Sequence, residues 1–333
     1  MATILVLGAQ GVLGSFAARA LRADGHAILR GGRRIEPAED FRLVDLDQPE
    51  TLTAALSGVD LVVTAIEDPQ VRAERQVLRA GGVIVSLATV PAAGERLLVR
   101  ESAAGVRGSV VLNAGLSGVG ALVVRDLLER HAQADEVEIA YIVSTAGTSG
   151  LAGVHYVHRL LTSTPHMQTT VLEFTPPRGR KRCFDLSAND EIPLAASVAG
   201  NRRLRSFVGV AESGVNGLLL LLNRIGLLAR LPIALLAAGV KSPDRIPALT
   251  REPMRARFAV RRSGVLLEAR GLESEGDYNS TVQATTVFAH ALLDARLAGQ
   301  LPAGLWRIEE LLRLDGVRAA LANLNIVTCA LNT

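Results

Sequence analysis

The stretch Thr3-Ile4-Leu5-Val6-Leu7-Gly8-Ala9-Gln10-Gly11-Val12-Leu13-Gly14 constrains this chain more than any other. The apolar run Ile4 to Leu7 is too short for a buried helix and reads as a strand covered on both faces, as in a parallel sheet. Gly8, Gly11 and Gly14 then recur at every third residue where the strand gives way to a helix. Gly8 permits the tight turn and Gly11 lets the backbone approach a pyrophosphate. Gly14 lets the helix carrying Ala17, Ala18 and Ala20 pack closely on the sheet. The start of that helix offers N–H donors and partial positive charge to phosphates. A glycine triplet alone is weak, but here strand, turn, helix and second strand (Ala27 to Arg30) follow in the required order. Gly8, Ala9, Gln10, Gly11, Val12, Leu13 and Gly14 are therefore candidate dinucleotide contacts.

The end of the second strand bears on which dinucleotide. A site for NAD usually places an acid about 20 residues after the glycines, to accept from the ribose 2′-OH. This chain has Leu29-Arg30-Gly31-Gly32-Arg33-Arg34 there instead. Arg33 and Arg34 have the charge and fork geometry to hold a 2′-phosphate that a carboxylate would repel. The pattern favours NADP(H) as cofactor.

A third strand is expected over Phe41 to Leu46, with Asp45 at its carboxyl end, either bordering the adenine or outside the site. Asp47-Gln48-Pro49-Glu50 has the form of a capping box, which makes Asp47 a helix cap. The fourth strand, Asp60 to Ala65, leads into Ile66-Glu67-Asp68-Pro69. Asp68 is the expected N-cap of the next helix, and Glu67 is either a surface residue or one facing the reacting carbon. A fifth strand (Gly82 to Leu87) and a sixth (Ser109 to Asn113) complete a doubly wound unit. Ligands bind outside the carboxyl ends of such strands, so Ala65, Ile66, Glu67, Ser86 and Asn113 join Arg33, Arg34 and Asp45 as candidate cofactor contacts.

From Glu136 onward the pattern alternates with period two, as in a sheet with one covered face. Strands are expected near Thr170–Phe174, Arg182–Leu186, Phe207–Ala211 and Arg255–Ala269, with helices between them. The fold class is thus α/β, an N-terminal Rossmann sheet with an inserted α+β mixed-sheet domain. The segment Gly217 to Gly239 reads as one apolar helix with Asn216, Asn223 and Arg230 on a single stripe at seven-residue spacing. Arg224, Arg230 and Pro232 argue against a membrane span. Core, dimer contact, substrate tunnel and bilayer surface are the roles such a helix can take, and a soluble protein with that stripe wet is expected. Trp306 to Leu314 is expected to be helical, and Leu324 to Leu331 to pack back on the first domain.

With 333 residues and a net charge of only +3, two domains are expected and nucleic acid is not a suggested partner. Cys183 and Cys329, the two cysteines, are far apart in sequence, and the first apolar run is too short for a signal peptide. Both point to the cytoplasm. A short-chain dehydrogenase needs a lysine four residues after its tyrosine. Here Tyr141, Tyr156 and Tyr278 are followed at that spacing by Thr145, Leu160 and Val282, so that mechanism is excluded. Hydride transfer asks for little beyond cofactor orientation and a proton donor. Candidate donors are His155, Tyr156 and His158 on one helix, and Tyr278. No third ligand joins the two histidines into a metal site.

Val6 to Gly14 and Arg30 to Arg34 resemble the start of saccharopine dehydrogenase-like NADP-binding proteins. So do Val110 to Gly118, Gly147 to Gly150, Gly276-Asp277-Tyr278 with its following helix, and Gly304-Leu305-Trp306-Arg307-Ile308-Glu309-Glu310-Leu311. The resemblance implies a Rossmann domain over 1–118, completed by helices from about 275–333. The domain inserted over 119–274 would bind a small-molecule substrate and often forms a homodimer. It implies an NADPH-dependent reductase acting on a C=N, C=C or C=O bond of a biosynthetic intermediate. The alternative is a non-catalytic NADP(H)-binding sensor or partner protein. On either reading no transmembrane span is expected, and contact with a membrane would be peripheral. One departure stands out. Where the family commonly carries aromatic-x-Asp-x-x-Gly-Glu, this chain reads Val85-Ser86-Leu87-Ala88-Thr89-Val90-Pro91, which turns the expectation from amino-acid imines toward an apolar intermediate.

Overall fold

A computed structural model describes residues 1–34, 37–87, 90–144, 151–162, 166–175, 179–187, 198–234 and 253–331. The chain forms two compact units. One comprises Met1–Gly118 with Thr281–Leu312, the other Val119–Ser280 with Arg313–Thr333.

In the first unit, β1 (Thr3–Leu7) leads into α1 (Val12–Ala23), followed by β2 (Ala27–Gly32), β3 (Phe41–Leu43), α2 (Pro49–Ala55) and β4 (Leu61–Thr64). Then come α3 (Arg72–Arg79), β5 (Val83–Ser86), α4 (Ala92–Ser102) and β6 (Ser109–Leu112), and α5 (Leu116–Arg130) carries the chain into the second unit. The strands form a wholly parallel seven-stranded sheet whose seventh member, β13 (Gly304–Arg307), comes from near the chain end. Its order, β13-β6-β5-β4-β1-β2-β3, reverses direction at β1, the switch point where doubly wound sheets bind ligands. Ile4 to Leu7 have no exposed surface. Leu5 and Leu7 pack with Val62, Ile84 and Val110 against Leu52, Val77, Leu78 and Leu98 of the helices. At about 1.5–3 kcal/mol per buried aliphatic side chain, this two-sided burial holds the carboxyl ends of the strands in place.

The second unit holds β7 (Glu136–Val143), α6 (Leu151–Thr162), β8 (Thr169–Glu173), β9 (Arg180–Asp185), β10 (Arg203–Val210) and α7 (Ser213–Arg224). The hairpin β11 (Pro253–Arg262) and β12 (Val265–Glu275) and the last strand β14 (Val327–Ala330) complete it. Its sheet is mixed, in the order β14-β12-β11-β7-β10-β9-β8, with β10 parallel to β7 and the other pairs antiparallel. The stretch expected as one strand from Arg255 to Ala269 is a hairpin, turning at Ser263 (φ 49) and Gly264 (φ 81) as a two-residue turn requires.

Four expectations are corrected. The helix expected from Trp306 begins only at Ile308: Trp306 and Arg307 end the strand Gly304–Arg307, because the edge of β6 is open to it and Ser109 Oγ donates to Pro302 O at 2.7 Å. The chain end does not complete the first unit. Residues 313–333 belong to the second, where β14 adds to the edge of β12. Gly217 to Gly239 is not one helix, since α7 ends at Arg224 and Gly226 takes φ 72 before a short 3-10 turn at Leu228–Arg230. Nor is its asparagine stripe wet. Asn216 and Asn223 are 5% and 6% exposed. Asn223 exchanges two 2.8 Å bonds with the backbone of Met167, while Asn216 accepts from Val210 N and donates to Arg182 O. No helix of the described residues is long and apolar enough to cross a membrane.

Glu268 anchors α5 to β12, accepting from Arg130, Arg270 and His131. Burial opposes its charge, yet these three donors bring its pKa down from 4.5 to about 2. A carboxyl depressed in the folded state contributes stability above its unfolded pKa and loses it as pH falls through the folded one. Acid titration of stability is therefore expected to show a loss between about pH 4.5 and 2 that Glu268→Gln reduces. Chemical denaturation at stepped pH measures it, and identical slopes for the two proteins would refute it.

Candidate functional site

The turn after β1 is built by hydrogen bonds among its own backbone groups. Gly8, at φ 76, a conformation costly for other residues, donates to Gly31 O at 3.2 Å, and Gly11 N donates to Gly8 O at 2.9 Å. Gly11 is the N-cap of α1 and no side chain caps it. The N–H groups of Val12, Leu13 and Gly14, the first turn of the helix, therefore have no intrahelical acceptor. Gly14 sits hard against the turn. A Cβ there would lie 2.3 Å from Gly8 O and 2.7 Å from Gly8 C.

The turn opens into a cleft of about 620 Å3. Gly8, Gln10, Gly11, Arg33, Arg34, Asp45, Ile66 and Glu67 all line it, so eight of the sequence candidates meet there. Ala9 is buried behind the turn, and Ala65 backs Gly8, 3.5 Å from where a Cβ would stand. Ser86 is wholly buried and donates to Glu74 Oε1 at 3.1 Å, which points its hydroxyl at α3 rather than the cleft. Burial raises the Glu74 pKa against that hydrogen bond. Asn113 ends β6 in the left-handed region at φ 61 and does not line the cleft.

The arginines divide by partner. Arg30 is taken up by Asp40, with bonds of 3.2 and 3.0 Å, and Arg30 first, with Arg22, holds the Asp40 carboxyl below the usual carboxylate range. Arg33 and Arg34 are exposed, and among the described residues neither guanidinium has an acidic partner. Gln10 Nε2 donates to Arg34 O at 3.1 Å, tying the glycine turn to the arginine loop.

The opposite wall holds residues that sequence reasoning missed or misplaced. Asp47 caps no helix: α2 begins at Pro49 with Gln48 as N-cap, and the Asp47 carboxylate pairs with Arg72. Asp68 accepts from Gln70 N at 3.1 Å, Arg72 N at 2.8 Å and Arg72 Nε at 2.9 Å. The N-cap of α3 itself is Val71, at φ 47. Burial works against the Asp68 charge, but these donors leave its pKa below the ordinary value. Arg72 is thus neutralised by two carboxylates, leaving Arg33 and Arg34 as the cleft's cations without acidic partners among the described residues. The signal for Arg72 was its place four residues after Asp68, as part of an i, i+4 pair.

The proton-donor candidates lie in the second unit. His155 is exposed on α6, and His158 Nε2 is 2.7 Å from Leu231 O, which commits it to a backbone carbonyl. Tyr156 lies on the same helix, and its side chain is outside the described residues, as are 145–150. Tyr278 is half-buried at the start of α8 (Asp277–Leu297), where its N–H donates to Asp277 Oδ1 at 2.7 Å.

The cleft fits a dinucleotide. Its turn leaves the space a Cβ would occupy at Gly11, and it carries two arginines at the end of β2; Val12, Leu13 and Gly14 do not themselves line it, but stand in the uncapped first turn of α1 that follows Gly11. A Rossmann unit with such a cleft, joined to a mixed-sheet unit, defines the class. The chain has the fold of saccharopine dehydrogenase: it aligns with the apo enzyme (L-Glu forming) from Saccharomyces cerevisiae over 100% of both chains, with a TM-score of 0.59 at 11% identity. Amine dehydrogenase from Mycobacterium smegmatis aligns over 92% of this chain and 94% of its own, with a TM-score of 0.49 and 10% identity. Residues 4–80 match the model of the NAD dependent epimerase/dehydratase family. No curated protein matches the chain in sequence.

Proposed function

We propose that the chain is an NADPH-dependent reductase acting on a C=N, C=C or C=O bond of a small biosynthetic intermediate. The observation that carries this reading is one cleft shared by the capless glycine turn and by Arg33 and Arg34. In it, the N–H groups of Val12, Leu13 and Gly14 bind the pyrophosphate, and the Arg33 and Arg34 guanidiniums hold the 2′-phosphate. Asp45 borders the adenosine side, and Ile66 and Glu67 follow the strand that points toward the reacting end. Bound there, the cofactor supplies a hydride. The proton that reduction also requires is assigned to the second unit, with His155, Tyr156 and Tyr278 as its candidates. The fold of saccharopine dehydrogenase and the match of residues 4–80 to an NAD-dependent family support a nicotinamide dinucleotide.

Calorimetric titration of NADPH and NADH tests the reading. NADPH is expected to bind more tightly, and Arg33→Ala to weaken NADPH by about 1.5–3 kcal/mol, the range for a hydrogen bond to a charged group, with little change for NADH. Equal or tighter binding of NADH by the unaltered protein would overturn the NADPH assignment. Tight binding without oxidation of NADPH by any carbonyl, imine or enoyl compound would favour a non-catalytic sensor.

A further inference from the structure

The helix α7 buries Leu219 in the core, with Leu220 and Leu222 packed against it, and still leaves a second apolar stripe on its outer side. Its asparagines are buried, while Leu218, Leu221 and Ile225, at i, i+3 and i+7, are 55%, 54% and 55% exposed. Val215 and Leu227 extend the same exposed set. Scattered exposed leucines are ordinary, whereas a contiguous stripe marks an interaction surface. Beside it, Leu220, Leu221, His166, Arg182 and Arg224 line an open cavity of about 490 Å3. Arg182 and Arg224 are exposed and have no acidic partner among the described residues. Among the described residues, no acid lies on α7 or lines the cavity. The nearest one in sequence, Glu212, accepts a hydrogen bond from Ser144.

We propose that this face docks on the surface of an anionic lipid bilayer, with the leucines in the acyl boundary and headgroup phosphates in the arginine-lined cavity. Charge complementarity selects this occupant over a second copy of the chain. A two-fold contact sets this patch against a copy of itself, so the contact would take in Arg182 and Arg224 from both copies with no carboxylate among the patch's described residues to pair them. An anionic surface meets both features at once, as amphipathic helices do when they lie in the interface plane. The helix is only twelve residues long, so the contact is peripheral. The proposal is independent of the cofactor reading.

Flotation with vesicles of equal parts phosphatidylcholine and phosphatidylglycerol tests it, with phosphatidylcholine vesicles as the comparison. The protein is expected to float with the anionic vesicles and to be released by salt. Leu218→Gln and Leu221→Gln should each lower partitioning at least about tenfold, and Arg182→Ala and Arg224→Ala about fivefold each. Melting temperatures should stay unchanged, because these side chains are exposed. Three results would overturn the proposal: no binding to anionic vesicles, undiminished binding by the Leu218→Gln/Leu221→Gln double variant, or a wild-type dimer in ultracentrifugation that the double variant makes monomeric. The last result would assign the face to a second copy.

Discussion

Gly11→Val is expected to abolish dinucleotide binding in a protein that still folds, whereas Gly14→Ala is expected to lose both binding and stability. The two glycines lie three residues apart in the same turn, yet their surroundings differ. Gly11 is exposed, its φ of −84° and ψ of 168° suit any residue, and a Cβ would come no closer than 3.3 Å to Gly8 O. Valine there costs about 1 kcal/mol as a poor N-cap, but its branches fill the space above the free N–H groups. At Gly14 the added carbon would stand 2.3 Å from a backbone oxygen that cannot rotate away. Alanine gains about 1 kcal/mol in helix propensity over glycine. Against that, α1 must shift by roughly an ångström from its seat on β1, an overpacking cost of about 1–3 kcal/mol or more. Thermal melting with calorimetric NADPH titration separates the cases. Retained binding by folded Gly11→Val, or wild-type melting of Gly14→Ala, would refute the argument.

A loss of about 3–5 kcal/mol is expected for Glu138→Ala, the largest stability effect foreseen for the second unit. Glu138 and Arg257 face each other across β7 and β11, joined at 2.9 Å, with side chains only 1% and 8% exposed. Arg257 also donates to Glu173 O at 3.2 Å, and Arg261 reaches the other Glu138 oxygen at 3.4 Å. Removing the carboxylate strands a buried guanidinium between sheet strands, where water cannot replace the lost partner. The pair itself adds little beyond what its desolvation costs, so Glu138→Met/Arg257→Met should recover most of the loss. Urea denaturation of the single and double variants gives the coupling. A double variant no more stable than Glu138→Ala would show that the pair's geometry contributes more than its neutralisation.

The first sheet was legible in the sequence because each of its signals is local. Ile4 to Leu7, the glycine spacing and the later apolar runs each describe a few neighbouring residues, and the order of the elements then restricts the topology. The absence of an acid within Leu29 to Arg34, and of a lysine four residues after any tyrosine, is local in the same way. What had to come from the tertiary structure involves choice among distant partners. Three arginines cluster at the end of β2, but Asp40 claims Arg30 and leaves Arg33 and Arg34 for the cleft. Asp47 had a cap's sequence context and instead meets Arg72, 25 residues away. Seven-residue spacing put Asn216 and Asn223 on one face without saying which side that face turns to. Polarity suggested water. The fold buries both amides because each finds a backbone N–H and a C=O at its own position, and an amide so satisfied costs little to bury. With the asparagines inward beside Leu219, it is Leu218, Leu221 and Ile225 that turn outward, and periodicity is blind to that choice because both orientations have the same period.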